Sequence, residues 1–162
     1  MKLATIVLLA AVVMFLSLGA FAVDQTANLS VSANVMNVCT VDAGTLDFGS
    51  YDPVAGTNHD ATGSFDVQCA NGGNASIKLD QGQNGTGTLA APVRQLKHGL
   101  SDLLGYQLYS DTTREVVWEG ETGISYTGNG DSETKTVYGR IPSGQNVAPG
   151  AYTDSVLITV TY

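Results

Sequence analysis

The chain has few basic residues, and this shortage restricts the partners it can bind. Its 162 residues include 7 Lys and Arg against 15 Asp and Glu. Such a balance repels the phosphates of nucleic acids and the head groups of anionic lipids. The acidic residues are scattered and form no run, which is typical of a soluble exported surface. No nucleic-acid partner is therefore expected.

The chain also lacks the short motifs that indicate catalysis or a cofactor. Gly82, Gly85 and Gly87 are not followed by the Lys-Ser/Thr ending or the helix of a phosphate-binding loop. Neither His59 nor His98 lies beside a Ser or Cys motif of a known nucleophile type. No Asp-x-Asp calcium pattern occurs. We therefore predict that the protein is not an enzyme and has no cofactor and no metal site.

Cysteine is scarce, since only Cys39 and Cys69 are present. An even number of cysteines in an exported chain favours one structural disulfide. It would close a long loop, which contributes about 3–4 kcal/mol in the chain-entropy model. A metal-binding or redox pair is the alternative. The spacing is not CxxC, and neither histidine lies at ligand spacing to a cysteine.

The only long apolar run lies at the N-terminus and has the features of a targeting signal. Lys2 precedes the apolar stretch 3–18, and Ala20–Ala22 fits a small-x-small cleavage site. We expect residues 1–22 to be a signal peptide. The mature chain would begin at Val23, with 140 residues and a formal charge of −9, enough for one domain. An uncleaved anchor is the alternative, but the run is short for a span of about 20 residues.

Signs of helix are few after this segment. Glycine is abundant, with 19 residues in the chain, and short β-like runs alternate with turn clusters, as in all-β sandwiches. The predicted strands are Leu29–Val41, Thr45–Phe48, Ala61–Cys69, Ala75–Leu79, Leu104–Tyr109, Val116–Trp118, Ser132–Tyr138 and Tyr152–Thr161. A hairpin-type turn is predicted at Asn71–Asn74. The stretch 93–104 is ambiguous, with a short helical turn possible around Leu96–Leu100.

The final stretch has the clearest strand pattern. Tyr152, Val156, Ile158, Val160 and Tyr162 share one parity, and mostly Thr and Ser occupy the other. This period of two is that of a half-buried strand. We expect one edge of this strand to be left without a partner from its own chain.

A second alternating stretch lies before the first cysteine. Leu29, Val31, Ala33 and Val35 alternate with Ser and Asn. The stretch is either the first strand of its own domain or a donor strand that inserts into another copy. Strand addition of this kind uses backbone hydrogen bonds for affinity and alternate side chains for specificity. A slip of one residue would turn the serines inward, so the register is well specified.

Several segments resemble the spore coat protein U domain family, which includes the pilin subunits of archaic chaperone–usher pili of the Csu type. The segments that carry the resemblance are Cys39–Val41, Gly44–Gly49, Ser64–Cys69, Leu104–Asp111, Val137–Pro142 and Gly150–Tyr162. They occur in the family's order and cover nearly the whole mature chain.

The resemblance implies an incomplete immunoglobulin-like β-sandwich that lacks its last strand and is completed by a donor strand from a neighbouring subunit. Residues 23–37 would be the N-terminal donor-strand extension, and residues 38–162 the pilin domain. Cys39 and Cys69 match the family disulfide. The donor positions would be Leu29, Val31, Ala33 and Val35, and the acceptor-groove strand would comprise Tyr152, Val156, Ile158, Val160 and Tyr162. Ala33 departs from the larger apolar side chain expected there.

The implied function is that of a structural subunit of a secreted surface pilus that supports adhesion and biofilm formation. A periplasmic chaperone would lend each subunit a strand, and an outer-membrane usher would exchange it for the extension of a neighbouring pilin subunit. The protein would therefore be in the periplasm during assembly and then in the cell-surface pilus. The alternative is a self-contained secreted β-sandwich that coats a surface or binds carbohydrate, in which residues 29–35 pair within their own domain.

Overall fold

The structure is a computed structural model, and it describes residues 22–162. The predicted signal peptide therefore lies outside the described residues except for its last residue. Within residues 22–162 there is no α-helix, and hence no helix with the length and apolar character needed to cross a bilayer. The same residues contain no cluster of three or more His, Cys, Asp or Glu that could hold a metal ion. Residues 35–162 form one compact unit, and residues 22–34 belong to a separate N-terminal unit.

Nine strands occur within the compact unit. They are β1 (Cys39–Leu46), β2 (His59–Cys69), β3 (Asn74–Leu79), β4 (Thr86–Gly87), β5 (Pro92–His98), β6 (Asp102–Tyr109), β7 (Ile124–Thr127), β8 (Ser132–Ile141) and β9 (Ile158–Thr161). The larger sheet has the order β1-β2-β8-β6-β5-β4, and the smaller sheet has the order β7-β3-β9. All of these pairings are antiparallel. The all-β prediction is confirmed.

The core lies between the two sheets and follows the alternation of the strands. In β2, Phe65 and Val67 are buried, whereas Asp66 between them is exposed. The smaller sheet contributes Ile77, which is fully buried. Trp118 fills the centre, with its ring 5.7 Å from that of Phe65 and its indole N–H donating to the Ile77 carbonyl at 2.9 Å. A buried Trp needs such a partner for its N–H, so this contact fixes the ring between the sheets.

The disulfide prediction is confirmed, because Cys39 and Cys69 are bonded to each other. The two residues face each other across the β1–β2 pair, with their Cα atoms 4.1 Å apart. Cys69 is buried at the end of β2, and Cys39 is the first residue of β1. The bond therefore fixes the start of β1 to the core.

The prediction of a helical turn around Leu96–Leu100 is wrong. The region is a hairpin of β5 and β6, which turns at Gly99 with a φ of 58°. A positive φ of this size favours glycine. The alternation of β5 is hidden in the sequence because Arg94 occupies a fully buried position where an apolar residue is expected.

Two further local predictions are corrected. The turn before Asn74 does form, with the Gly73 N–H donating to the Ala70 carbonyl at 2.8 Å, but it joins β2 to β3 in different sheets and makes no hairpin. Val116–Trp118 is not a strand, since only Val117 forms an isolated bridge with β6. The short strands β4 and β7 were not predicted, because two or four residues are too few to show a period.

The loop after β6 makes the acid stability of the fold depend on Asp111. Hydrogen bonds from the Thr113 hydroxyl and from the backbone N–H of Val116 and Glu115 lower the pKa of Asp111 to about 2. A carboxylate whose pKa is depressed in the folded state stabilises the fold at pH values above its pKa in the unfolded chain. This stabilisation is lost as the pH falls through its pKa in the folded protein.

We predict that Asp111→Asn lowers stability above pH 4 and that the difference from the parent protein shrinks as the pH falls from about 4 to about 2. Urea unfolding midpoints at a series of pH values measure this. The control is Asp131→Asn, because the Asp131 side chain accepts no hydrogen bond within residues 22–162. If the unfolding midpoints of Asp111→Asn and of the parent protein depend on pH in the same way, the prediction is wrong.

Candidate functional site: an apolar groove between two sheet edges

The first wall of the groove is the free edge of β1. This strand is the terminal strand of the larger sheet and pairs with β2 on one side only. Val41 faces Val67 directly across that pair, so both side chains lie on the inner face of the sheet. Val67 is 1% exposed, whereas Val41 is 36% exposed. The inner face is therefore uncovered where β1 ends the sheet.

The second wall is the stretch that leads into β9. The inward-facing side chains that pack partly against the core are Tyr152, Val156, Ile158 and Val160. Their neighbours Thr153, Ser155 and Leu157 are exposed, and Tyr162 is 58% exposed. The alternation read from the sequence therefore describes this wall from residue 152 to residue 160.

The prediction of one continuous strand over Tyr152–Thr161 is wrong in its first half. Thr153 forms an isolated bridge with Lys97 of the larger sheet, whereas Ile158–Thr161 pair with β3 of the smaller sheet. The segment therefore passes from one sheet to the other and is regular only at its end. Side-chain alternation cannot reveal this change, because both halves face the same core.

One side of this segment is bonded to the body of the protein. The backbone bonds join Thr153 to Lys97 at 2.9 and 3.1 Å, Gln83 to Ser155 at 3.0 Å, and Asp80 to Leu157 at 3.2 Å. Backbone groups of successive residues in an extended chain point to opposite sides, so those of Asp154 and Val156 point away from these partners. Within residues 22–162, the outward side of this segment and of β9 pairs with no strand.

An apolar groove lies between the two edges. One cleft in it has a volume of about 340 Å³ and is lined by Gly44, Thr45, Leu46, Phe48, Ser64, Phe65, Leu79, Leu96, Tyr106, Leu108, Val137, Asp154, Ser155, Val156 and Ile158. A second cleft of about 560 Å³ shares Leu46, Phe48 and Leu96 with it and continues to Tyr152. The shared residues make the two clefts one continuous apolar surface.

A buried arginine holds the floor of the groove in place. The Arg94 side chain is 1% exposed and donates to the carbonyl oxygens of Leu79 and Asp80 at 2.9 Å and of Trp118 at 2.8 Å. It also donates to the side chain of Gln107. Burial lowers the pKa of Arg94. Sequence reasoning missed this residue, because nothing in the pattern marks an arginine as inward-facing.

One charged group interrupts the apolar wall. Asp154 has the inward parity of Tyr152 and Val156, and its carboxylate accepts the Tyr106 hydroxyl at 2.7 Å. Asn84 donates to the same carboxylate twice, from its backbone N–H at 3.1 Å and its side-chain amide at 3.0 Å. Burial and then the bond to Asp154 raise the pKa of Tyr106. The alternation alone could have placed Asp154 on this wall, but it was not among the predicted groove residues.

The predicted donor positions 29–35 pair with no strand of the described chain. Residues 22–38 belong to no strand, so the predicted strand Leu29–Val41 is wrong before Cys39. Leu29, Val31 and Val35 are 87%, 83% and 89% exposed, and Ala33 is exposed as well. The alternating pattern is present, but no sheet within residues 22–162 receives it.

The two sheets and their uncovered edges define a sandwich domain of the immunoglobulin-like class. The chain belongs to the Spore Coat Protein U domain family, whose family model matches residues 25–159. The match includes most of the predicted extension, residues 23–37. The chain is also 41% identical over 155 residues to Protein U of Myxococcus xanthus, with 87% of each protein covered. The resemblance to this family is confirmed.

A solved structure shares the fold at low sequence identity. It is the crystal structure of the CsuC–CsuE chaperone–tip adhesion subunit pre-assembly complex from the archaic chaperone–usher Csu pili of Acinetobacter baumannii. The TM-score is 0.54 and the sequence identity is 18%. The match covers 79% of this chain and 40% of the solved chain, so this chain spans less than half the length of its structural neighbour.

The Arg94 network predicts a large loss of stability when the guanidinium is removed. Arg94→Met would leave three carbonyls without their donor, two of them buried, and should lower the free energy of unfolding by about 3 kcal/mol. Arg94→Lys should lower the free energy of unfolding by less than Arg94→Met does, but the protein should stay less stable than the parent, because an ammonium cannot reach all three oxygens. Urea unfolding followed by the fluorescence of Trp118 measures both. Arg140→Met is the control, since Arg140 binds Asp60 on the surface. Equal losses at Arg94 and Arg140 would contradict the network's role.

Proposed function

We propose that this protein is a structural subunit of a secreted surface pilus, assembled by donor-strand exchange through a chaperone–usher pathway. The proposal is carried by one observation. A sandwich with two unpaired edges beside an apolar groove, and an uncovered inner-face valine, Val41, belongs to a chain whose own alternating segment 29–35 pairs with no strand in the described residues. The groove has unpaired backbone groups and apolar side chains, and the segment 29–35 has the backbone groups and alternating apolar side chains to match them.

The energetics support a stable joint between subunits. Burial of Leu29, Val31 and Val35 would contribute about 1.5–3 kcal/mol each. Each backbone hydrogen bond to the outward groups of residues 154–160 would add about 0.5–1.5 kcal/mol net. These contacts must be lost together for the strand to leave, so the joint opens slowly.

The groove must widen to admit a strand. At their nearest points β1 and β9 have Cα atoms within 8 Å of each other. A strand inserted between them needs about twice the strand spacing, roughly 9.6 Å. A periplasmic chaperone that lends its own strand would hold these edges apart until exchange. The structural neighbour is a chaperone–tip adhesion subunit pre-assembly complex, which supports this role for a chaperone.

The proposed contact builds a filament. Donor segment and groove are different surfaces of one chain, so the contact is heterologous and does not close on itself. Each subunit would be exported, held by the chaperone in the periplasm, and passed by an outer-membrane usher onto the growing fibre. The finished fibre lies on the cell surface and serves adhesion and biofilm formation.

Deletion of residues 24–36 should abolish polymerisation and leave chaperone binding intact, because the groove remains while the donor is lost. A non-reducing gel of unboiled and boiled samples shows a ladder for the parent protein and a single band for the deletion. Co-purification with the chaperone is the control for folding. Fibres from the deleted chain would rule out the donor role, and a chaperone-independent soluble monomer would favour the self-contained coat protein.

A single buried charge in the donor should have the same effect. Val31→Asp should prevent assembly, because a carboxylate without a partner is costly to bury in an apolar groove. Ser32→Asp is the matched control: the same charge one residue later points to solvent and should leave the ladder in place. A normal ladder from Val31→Asp, or an equal defect in both variants, would contradict the proposed alternation.

A further inference from the structure

We infer one donor register, which rests on the function proposed above. The donor of the next copy lies antiparallel to the segment 152–158, and Ala33 faces Asp154. The facing pairs are then Leu29 with Ile158, Val31 with Val156, Ala33 with Asp154, and Val35 with Tyr152.

The antiparallel direction follows from the existing sheets. Every strand pairing in the described residues is antiparallel, including β3 with β9. Antiparallel pairing is also slightly more stable per residue than parallel pairing. In the segment 152–158, the residues whose side chains face inward have backbone groups that point to the open side of the segment. The backbone of an antiparallel donor residue, with its own side chain facing inward, can bond to those groups.

The register follows from one small residue and one charge. Ala33 is the only small residue among the four donor positions, and Asp154 is the only carboxylate in the inward row that runs from Tyr152 to Ile158. A shift of two residues in one direction places Val31 against Asp154, and a shift in the other places Val35 there. A shift of one residue turns the serines inward. Only the inferred register places the Ala33 side chain against the Asp154 carboxylate.

The Asp154 carboxylate cannot move away from the donor. The Tyr106 hydroxyl and Asn84 hold it, and a Cβ atom at Gly82 would clash with it, so contacts within its own chain fix its position. A large apolar side chain placed against it would bury more of the charge away from solvent at a high cost. The methyl group of Ala33 leaves space for water to reach the carboxylate. This accounts for an alanine where the family pattern predicts a larger apolar residue.

Cysteine pairs test the register directly. In an antiparallel pair, facing hydrogen-bonded residues have Cα atoms about 5.5 Å apart, within the range that a disulfide spans. Diagonal neighbours are about 7–8 Å apart and are too distant. The chain carrying Val31→Cys and Val156→Cys should therefore give a ladder that survives boiling without reductant and collapses with it. The chain carrying Val31→Cys and Ile158→Cys should give a ladder that boiling destroys.

The outcomes separate the register from the function. A boiling-resistant ladder from the Ile158 pair alone, or from neither pair while both chains polymerise, overturns the register and leaves the proposed function standing. If the parent protein forms no polymer, the proposed function falls and the register with it.

A second test needs no cysteine. Ala33→Leu should make the polymer dissociate about tenfold faster in denaturant. Adding Asp154→Ala to the same chain should bring the dissociation rate most of the way back to the parent value. Asp154→Ala alone measures the structural effect of losing the Tyr106 bond. An Ala33→Leu polymer as stable as the parent, or one that Asp154→Ala fails to rescue, would contradict the pairing of Ala33 with Asp154.

Discussion

The gap between β1 and β9 is the constraint on which the rest of this structure depends. Each strand is bonded on one side and open on the other, and between them the inner face carries apolar side chains that no element of the described chain covers. An apolar surface flanked by unpaired backbone groups is unstable in water and prone to aggregation. A single strand satisfies both needs at once, because it brings backbone partners for the edges and side chains for the groove.

Polar contacts give the second wall of the groove its shape. The segment before β9 pairs with the larger sheet at Thr153 and with the smaller sheet from Ile158, so it has no continuous ladder between these points. Asp80 and Asp154 hold the intervening residues through their carboxylates, and Arg94 holds the backbone of Asp80. A groove made only of apolar side chains would lack these directional contacts, and its edge would be free to close against β1.

The disulfide lies where a filament would carry load. The proposed donor segment ends just before Cys39, and the bond to Cys69 fixes that point to the end of a core strand. Tension along a fibre would pass from the inserted donor into the first residue of β1. The covalent bond would transmit it to β2 without relying on the hydrogen bonds of an edge strand.

The amino-acid sequence by itself determined the all-β class and the inward parity of the final segment, because alternation and composition act locally along the chain. It also determined the cysteine pair, because the chain has only two cysteines. The family also followed from short segments of sequence. Tertiary structure alone decided that residues 153 and 158 join different sheets, that the Asn71–Asn74 turn links two layers, and that β5 is a strand despite the buried Arg94. Each of these depends on partners distant in the chain. A pattern of side chains states which face is buried, but it does not state which strand lies alongside.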